Sequence, residues 1–121
     1  MQQKHILVVD DNKDLLFMIS AMLKINGYQV SSLENTTGIE TVVIKIQPDL
    51  IMMDMLLSGS DGREICRQLK SNKDTASVPV LMLSAHPQAA ENCIAAGADR
   101  FIEKPFEMQH LLDTLHTLLN S

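Results

Sequence analysis

Five polar side chains stand at or just past the ends of short apolar runs: Asp10, Asp11, Asp54, Ser84 and Lys104. Three carboxylates brought close repel one another and stay ionised only beside a compensating cation. An all-oxygen donor set suits a hard divalent ion such as Mg2+, which keeps several waters and is usually completed by a phosphate. A carboxylate beside such an ion can attack phosphorus, while an ammonium and a hydroxyl can hold the phosphoryl oxygens. Taken singly, each residue has a plainer role. Asp10-Asp11 reads as a solvated turn whose second acid caps a helix, Asp54 as a loop acid, Ser84 as a turn hydroxyl and Lys104 as a surface lysine. Their joint arrival at one rim is what favours a site.

The elements that would bring them there are legible as a change of period along the chain. Ile6 to Val9, Leu50 to Met53 and Val80 to Leu83 are unbroken apolar runs, ending at Asp10, Asp54 and Ser84, and they read as strands buried on both faces of a parallel sheet. Tyr28 to Leu33 alternates and reads as one edge strand, and Arg100 to Glu103 as the other. Helical spacing predicts helices over Asn12 to Asn26, Thr36 to Ile46, Arg63 to Ser71, Gln88 to Ala96 and Phe106 to Leu119. The first would present Leu15, Ile19, Met22 and Leu23 on one face, with Gly27 closing it in the left-handed region. Pro48 would stop the second, Asp61 cap the third, and Pro87 lead into the fourth, which Gly97 ends. Strand and helix thus alternate five times, which predicts an α/β, doubly wound (βα)5 sheet with helices on both faces. Such sheets bind ligands outside the carboxyl ends of their strands, where all five polar residues fall.

Composition narrows the rest. The 121 residues fit one domain, 1–121, and a chain this long should bury roughly two-thirds of its unfolded surface. Fifteen acidic against ten basic residues leave a formal charge of −5, which disfavours direct nucleic-acid binding. Cys66 and Cys93 offer neither a disulfide framework nor a metal-ligand spacing, as expected of a reducing, cytoplasmic setting. The longest apolar stretch, Leu15 to Leu23, is interrupted by Ser20 and is too short to span a membrane, and Met1 to His5 carries no signal-peptide pattern.

These residues resemble the receiver domain of two-component response regulators over nearly the whole chain, from Lys4 to Leu119. The resemblance is carried by Ile6 to Asp11, Pro48 to Met55, Ser60-Asp61-Gly62, Leu83-Ser84-Ala85, Ala96 to Asp99 and Lys104-Pro105-Phe106. It implies the flavodoxin-like strand order 2-1-3-4-5. It further implies that Asp54 accepts a phosphoryl group from a histidine on a sensor kinase or a histidine phosphotransfer protein. Mg2+ would be bound directly by Asp11, largely through water by Asp10, and also by Asp54 and the Leu56 carbonyl. Ser84 would be the switch hydroxyl, Lys104 the phosphoryl partner, Phe101 an aromatic that turns inward on activation, and Lys104-Pro105 a cis peptide. Phe101 reads equally as a plain core residue. The domain would switch between two states and act on a downstream protein or an attached output domain. It would catalyse only its own phosphorylation and dephosphorylation, and would be a monomer or a weak phosphorylation-dependent dimer.

Two features depart from the family pattern. Ser58 replaces the usual proline four residues past the phosphoacceptor, so that loop is expected to be more mobile. The stretch from Ser84 to Ala96 is shorter than usual. Leu56 offers no polar group to orient an attacking water, which points to slow self-hydrolysis, and His86 reads as a solvated loop residue. The rival classes fit less well. A haloacid-dehalogenase-type phosphatase wants a second acid two residues after its nucleophile, whereas Met55-Leu56 follow Asp54 and Asp11-Asn12 follow Asp10. A flavin-binding module would need a Ser/Thr-rich phosphate loop where Asp11 to Asp14 stand. A degenerate receiver is disfavoured because all five polar positions are filled.

Overall fold

The computed structural model describes residues 3–57, 59–86 and 88–120. Ser58 and Pro87, on which two expectations rested, lie outside the described residues. The elements run β1 (His5–Val9), α1 (Lys13–Ile25), β2 (Gln29–Leu33), α2 (Ile39–Ile46), β3 (Leu50–Asp54), β4 (Leu56–Leu57), β5 (Ser60–Asp61), α3 (Gly62–Ser71), β6 (Val80–Ser84), α4 (Ala89–Ala95), β7 (Arg100–Glu103) and α5 (Met108–Leu119). The main sheet is parallel, in the order β2-β1-β3-β6-β7. With the small β4-β5 hairpin set aside, this is the expected 2-1-3-4-5.

The strands that read as continuous apolar runs occupy the middle of the sheet because each of their faces meets a helical layer. Alternate residues go opposite ways, as the two-residue period of a strand requires. Leu7, Val9, Ile51, Met53, Val80 and Met82 pack with Ile39 and Val43 of α2, Cys66 and Leu69 of α3, and Ala89 and Cys93 of α4. Ile6, Val8, Leu50, Met52, Leu81 and Leu83 pack with Leu16, Ile19 and Leu23 of α1 and Leu111 and Leu115 of α5. Burial pushes the Cys66 thiol up to about 11 and the Cys93 thiol in the same direction, so both stay protonated and unreactive in the core.

The differences from the sequence-based boundaries have local causes. Helix α1 ends in a Schellman arrangement, in which the Tyr28 N–H bonds to the Leu23 carbonyl at 3.0 Å and Gly27 takes φ +92°. Tyr28 is therefore spent on closing the helix, and β2 begins one residue later than expected. Helix α2 starts at Ile39 rather than Thr36 because Gly38, at φ +68°, breaks the helical run. Helix α5 starts at Met108 rather than Phe106, since Glu107 is extended and acts as its N-cap residue. On α1 the buried face is Leu16, Ile19 and Leu23; Leu15 is only partly buried, so the apolar stripe is rotated from the expected one.

Candidate functional site

Each polar residue at the rim is delivered by the end of an element. Asp10 directly follows β1 and is 2% exposed. One of its oxygens accepts the Asn12 N–H at 2.9 Å, and the Asn12 side chain in turn caps α1 by accepting the Leu15 N–H at 3.1 Å. The acid is thus held inward, while the capping role expected of the second acid falls to Asn12. Asp54 is the last residue of β3, paired in register with Leu83 of β6. Ser84, at the end of β6, is buried. Its Oγ accepts the His86 N–H at 3.0 Å, and its carbonyl accepts the Lys104 N–H at 2.8 Å. The Lys104–Pro105 peptide is cis.

These residues meet. One oxygen from each of Asp10, Asp11 and Asp54 lies within 4.8 Å of the other two. The Lys104 ammonium stands 3.4 Å from Asp10 Oδ2 and 3.4 Å from Asp54 Oδ1. When all four are ionised, three negative charges and one positive leave a formal charge of −2 within the group, which is the charge a divalent cation neutralises. The strain of this arrangement shows in Asp54. Burial raises its pKa above the ordinary value, Lys104 opposes that rise, and the charges of Asp10 and Asp11 add to it. A hard, all-oxygen donor set carrying excess negative charge fits Mg2+.

Other parts of the rim are built around Asp54. Leu56–Leu57 pair antiparallel with Ser60–Asp61, and Gly59 turns the hairpin at φ +75°. Leu56 is half exposed beside the site. Asp61 caps α3 by accepting the Arg63 N–H at 2.9 Å, and the Arg63 guanidinium bonds the same carboxylate at 2.7 Å. These bonds to Arg63 hold the Asp61 carboxyl below its ordinary range. The glycine that follows has a steric reason that the sequence did not reveal. A Cβ at Gly62 would lie 2.6 Å from the Asp54 carbonyl oxygen and 3.0 Å from Met55 Cα, so only glycine lets α3 start against the backbone next to Asp54. Phe101 lies on β7 opposite Met82, partly buried against the α2–α4 side of the core.

The family model of the response regulator receiver domain matches residues 6–116. The chain belongs to that family, the receiver modules of two-component phosphorelay signalling. It is 36% identical over 118 residues to the phosphate regulon transcriptional regulatory protein PhoB of Pseudomonas aeruginosa, in an alignment covering 96% of this chain and 52% of that protein. The chain spans about half the length of such curated relatives, 52% of PhoB and 48% of the regulator RpaA of Synechocystis. A protein described as a response regulator from Chloroflexus aurantiacus superposes with a TM-score of 0.93 at 29% identity, covering 99% of this chain and 100% of that one. The receiver domain of the sensor histidine kinase PA1611 from Pseudomonas aeruginosa gives 0.89 at 29% identity, with 99% and 100% covered, and its structure holds a magnesium ion in the active site cleft.

Proposed function

We propose that residues 1–121 form one receiver domain in which Asp54 is the phosphoacceptor. The observation that carries this reading is the single ammonium of Lys104 placed 3.4 Å from both Asp10 and Asp54, within a group of three carboxylates that exceeds it in charge. Mg2+ would be held by Asp10, Asp11 and Asp54 with the Leu56 carbonyl, and its chemistry there is to screen the carboxylates and the incoming phosphoryl oxygens. An Asp54 carboxylate oxygen attacks phosphorus. The phosphorus–nitrogen bond to the donor histidine breaks, and its electron pair returns to the imidazole, which takes up a proton. Lys104 binds an equatorial phosphoryl oxygen by a charge-assisted hydrogen bond. The Ser84 hydroxyl, buried at the neighbouring strand end, donates to another.

The bound group adds bulk and acceptor oxygens where a carboxylate stood. Ser84 and Lys104 are drawn to it, Phe101 moves into the space Ser84 leaves, and the two states differ in how they treat the phosphoryl group, as any ligand-driven shift requires. The donor is a sensor histidine kinase or a histidine phosphotransfer protein in the cytoplasm, and the readout is a downstream protein or an attached output domain. The domain catalyses only its own phosphorylation and dephosphorylation.

Incubation with acetyl phosphate and Mg2+ followed by intact mass tests the reading. The parent gains the mass of one phosphoryl group and Asp54→Ala gains none; equal gain in both would overturn it. Leu56, apolar and beside the site, supports slow self-hydrolysis. Leu56→Asn should shorten the phosphoryl lifetime, and an unchanged half-life removes that part of the account.

A further inference from the structure

Lys104 owes its place to β7, an edge strand of the main sheet. It has four residues and, among the described residues, pairs with β6 alone. Sliding such a strand by one residue would move its chain by about 3.3 Å and turn every side chain to the other face. Such a slip would take Lys104 away from Asp10 and Asp54, turn Phe101 from the α2–α4 core, and expose Ile102, now buried against the α1–α5 core.

At the far end of the strand, opposite the rim, stands an arrangement that the phosphoacceptor chemistry does not use. The Asp99 N–H donates to the Val80 carbonyl at 2.8 Å, and Asp99 Oδ2 accepts the Val80 N–H at 2.8 Å. One residue thus engages both backbone groups of the first residue of β6. The same carboxylate oxygen accepts from the Lys70 ammonium at 3.0 Å. Lys70 also donates to the carbonyls of Ala76 at 3.3 Å and Val78 at 2.9 Å, and so ties the end of α3 to the loop that enters β6. Glycine at 97 leaves the Lys70 stem its path, since a Cβ there would lie 2.9 Å from Lys70 Cγ. The next pairs along the ladder, Leu81 with Arg100 through Ser84 with Glu103, follow from this first one, and Lys104 N–H to the Ser84 carbonyl closes the rim end.

We propose that Asp99, held by Lys70, is a positioning residue for Lys104: its two bonds to Val80 set the register of β7 and thereby place the ammonium between Asp10 and Asp54. The proposal rests on the phosphoacceptor reading for its effect on labelling, but not for its effect on metal binding, and the experiment separates the two.

Asp99→Ala, Asp99→Asn and Lys70→Met are made alone and in a Lys104→Ala background, with circular dichroism confirming that each folds. Two quantities are measured: the labelling rate with acetyl phosphate and Mg2+, and Mg2+ affinity by titration calorimetry in the absence of a phosphodonor. Lys104→Ala removes a positive charge from the acidic group and should tighten Mg2+ by about fivefold. Asp99→Ala should reproduce that tightening and slow labelling by about tenfold, as a misplaced group does. Neither effect should be added to in the Lys104→Ala background, the signature of two residues acting through one another. Asp99→Asn keeps an acceptor for Val80 and should retain most of the rate, with Lys70→Met between the two. A further slowing or tightening by Asp99→Ala in the Lys104→Ala background, weakened Mg2+ binding in Asp99→Ala, or parental values of both quantities would overturn the proposal. A parent that cannot be labelled, with the shared tightening still present, would leave the register lock standing and sink the phosphoacceptor reading instead.

Discussion

Two lysine–aspartate clusters sit at opposite ends of one sheet, built from the same side chains on opposite terms. At the lower end, Lys70 meets one carboxylate and two carbonyls, and the charges of Lys70 and Asp99 cancel. At the rim, Lys104 faces Asp10 and Asp54 at 3.4 Å with Asp11 in the same group, and the negative charge is in excess. Where donors match acceptors, the cluster belongs to the fold. Where like charge is gathered and left over, the fold carries a cost that a ligand can relieve.

The two ends also differ in their glycines. Gly62 at the rim faces backbone at 2.6 Å, which cannot yield, whereas Gly97 faces the stem of Lys70. Gly62→Ala should therefore give the largest effect, a loss of about 3 kcal/mol in denaturant unfolding, with Mg2+ binding weakened because the chain beside Asp54 must move. A loss below about 1 kcal/mol would mean that the close approach is relaxed by a small shift of α3.

Breaking the lower cluster comes next. Lys70→Met keeps the apolar stem but removes the donor from Asp99, Ala76 and Val78, and should destabilise by about 1–2 kcal/mol, since part of the cluster is wet.

The rim should respond with the opposite sign. Asp54 has its pKa raised above 3.8, chiefly by burial. Such a group adds to stability below its unfolded value, and that contribution is lost as pH rises through the folded value, so at neutral pH the ionised carboxylate is a burden. Asp54→Asn, melted in EDTA at pH 7, should be stabilised by about 1 kcal/mol, the size of one like-charge contact in a wet site. The gain should shrink as pH falls toward 3.8 and disappear when Mg2+ is added to both proteins. A destabilised Asp54→Asn in EDTA would erase the contrast between the two ends.

The contrast also separates what was legible in the sequence from what was not. The rim was readable because each of its residues sits where an apolar run stops, so that strand ends and site coincide at Asp10, Asp54 and Ser84. The layers followed from the change of period, while boundaries shifted where local geometry intervened, at the helix starts beside Gly38 and Glu107 and at Tyr28, which closes α1 instead of opening β2. The lower cluster was invisible. Lys70 and Asp99 lie 29 residues apart; Lys70 looks like an ordinary surface charge and Asp99 only like part of a matching segment until the fold sets them 3.0 Å from one another. The reason for Gly62 was hidden likewise, because close backbone approach is a property of packing and leaves no periodic trace.

The central claim is that the acid at the end of β3, rather than either acid after β1, carries the phosphoryl group. Labelling with acetyl phosphate and Mg2+, reduction of the acyl phosphate with borohydride to homoserine, and peptide mass mapping would locate it. The account expects homoserine at position 54, dependent on Mg2+; homoserine at position 10 or 11 would contradict it.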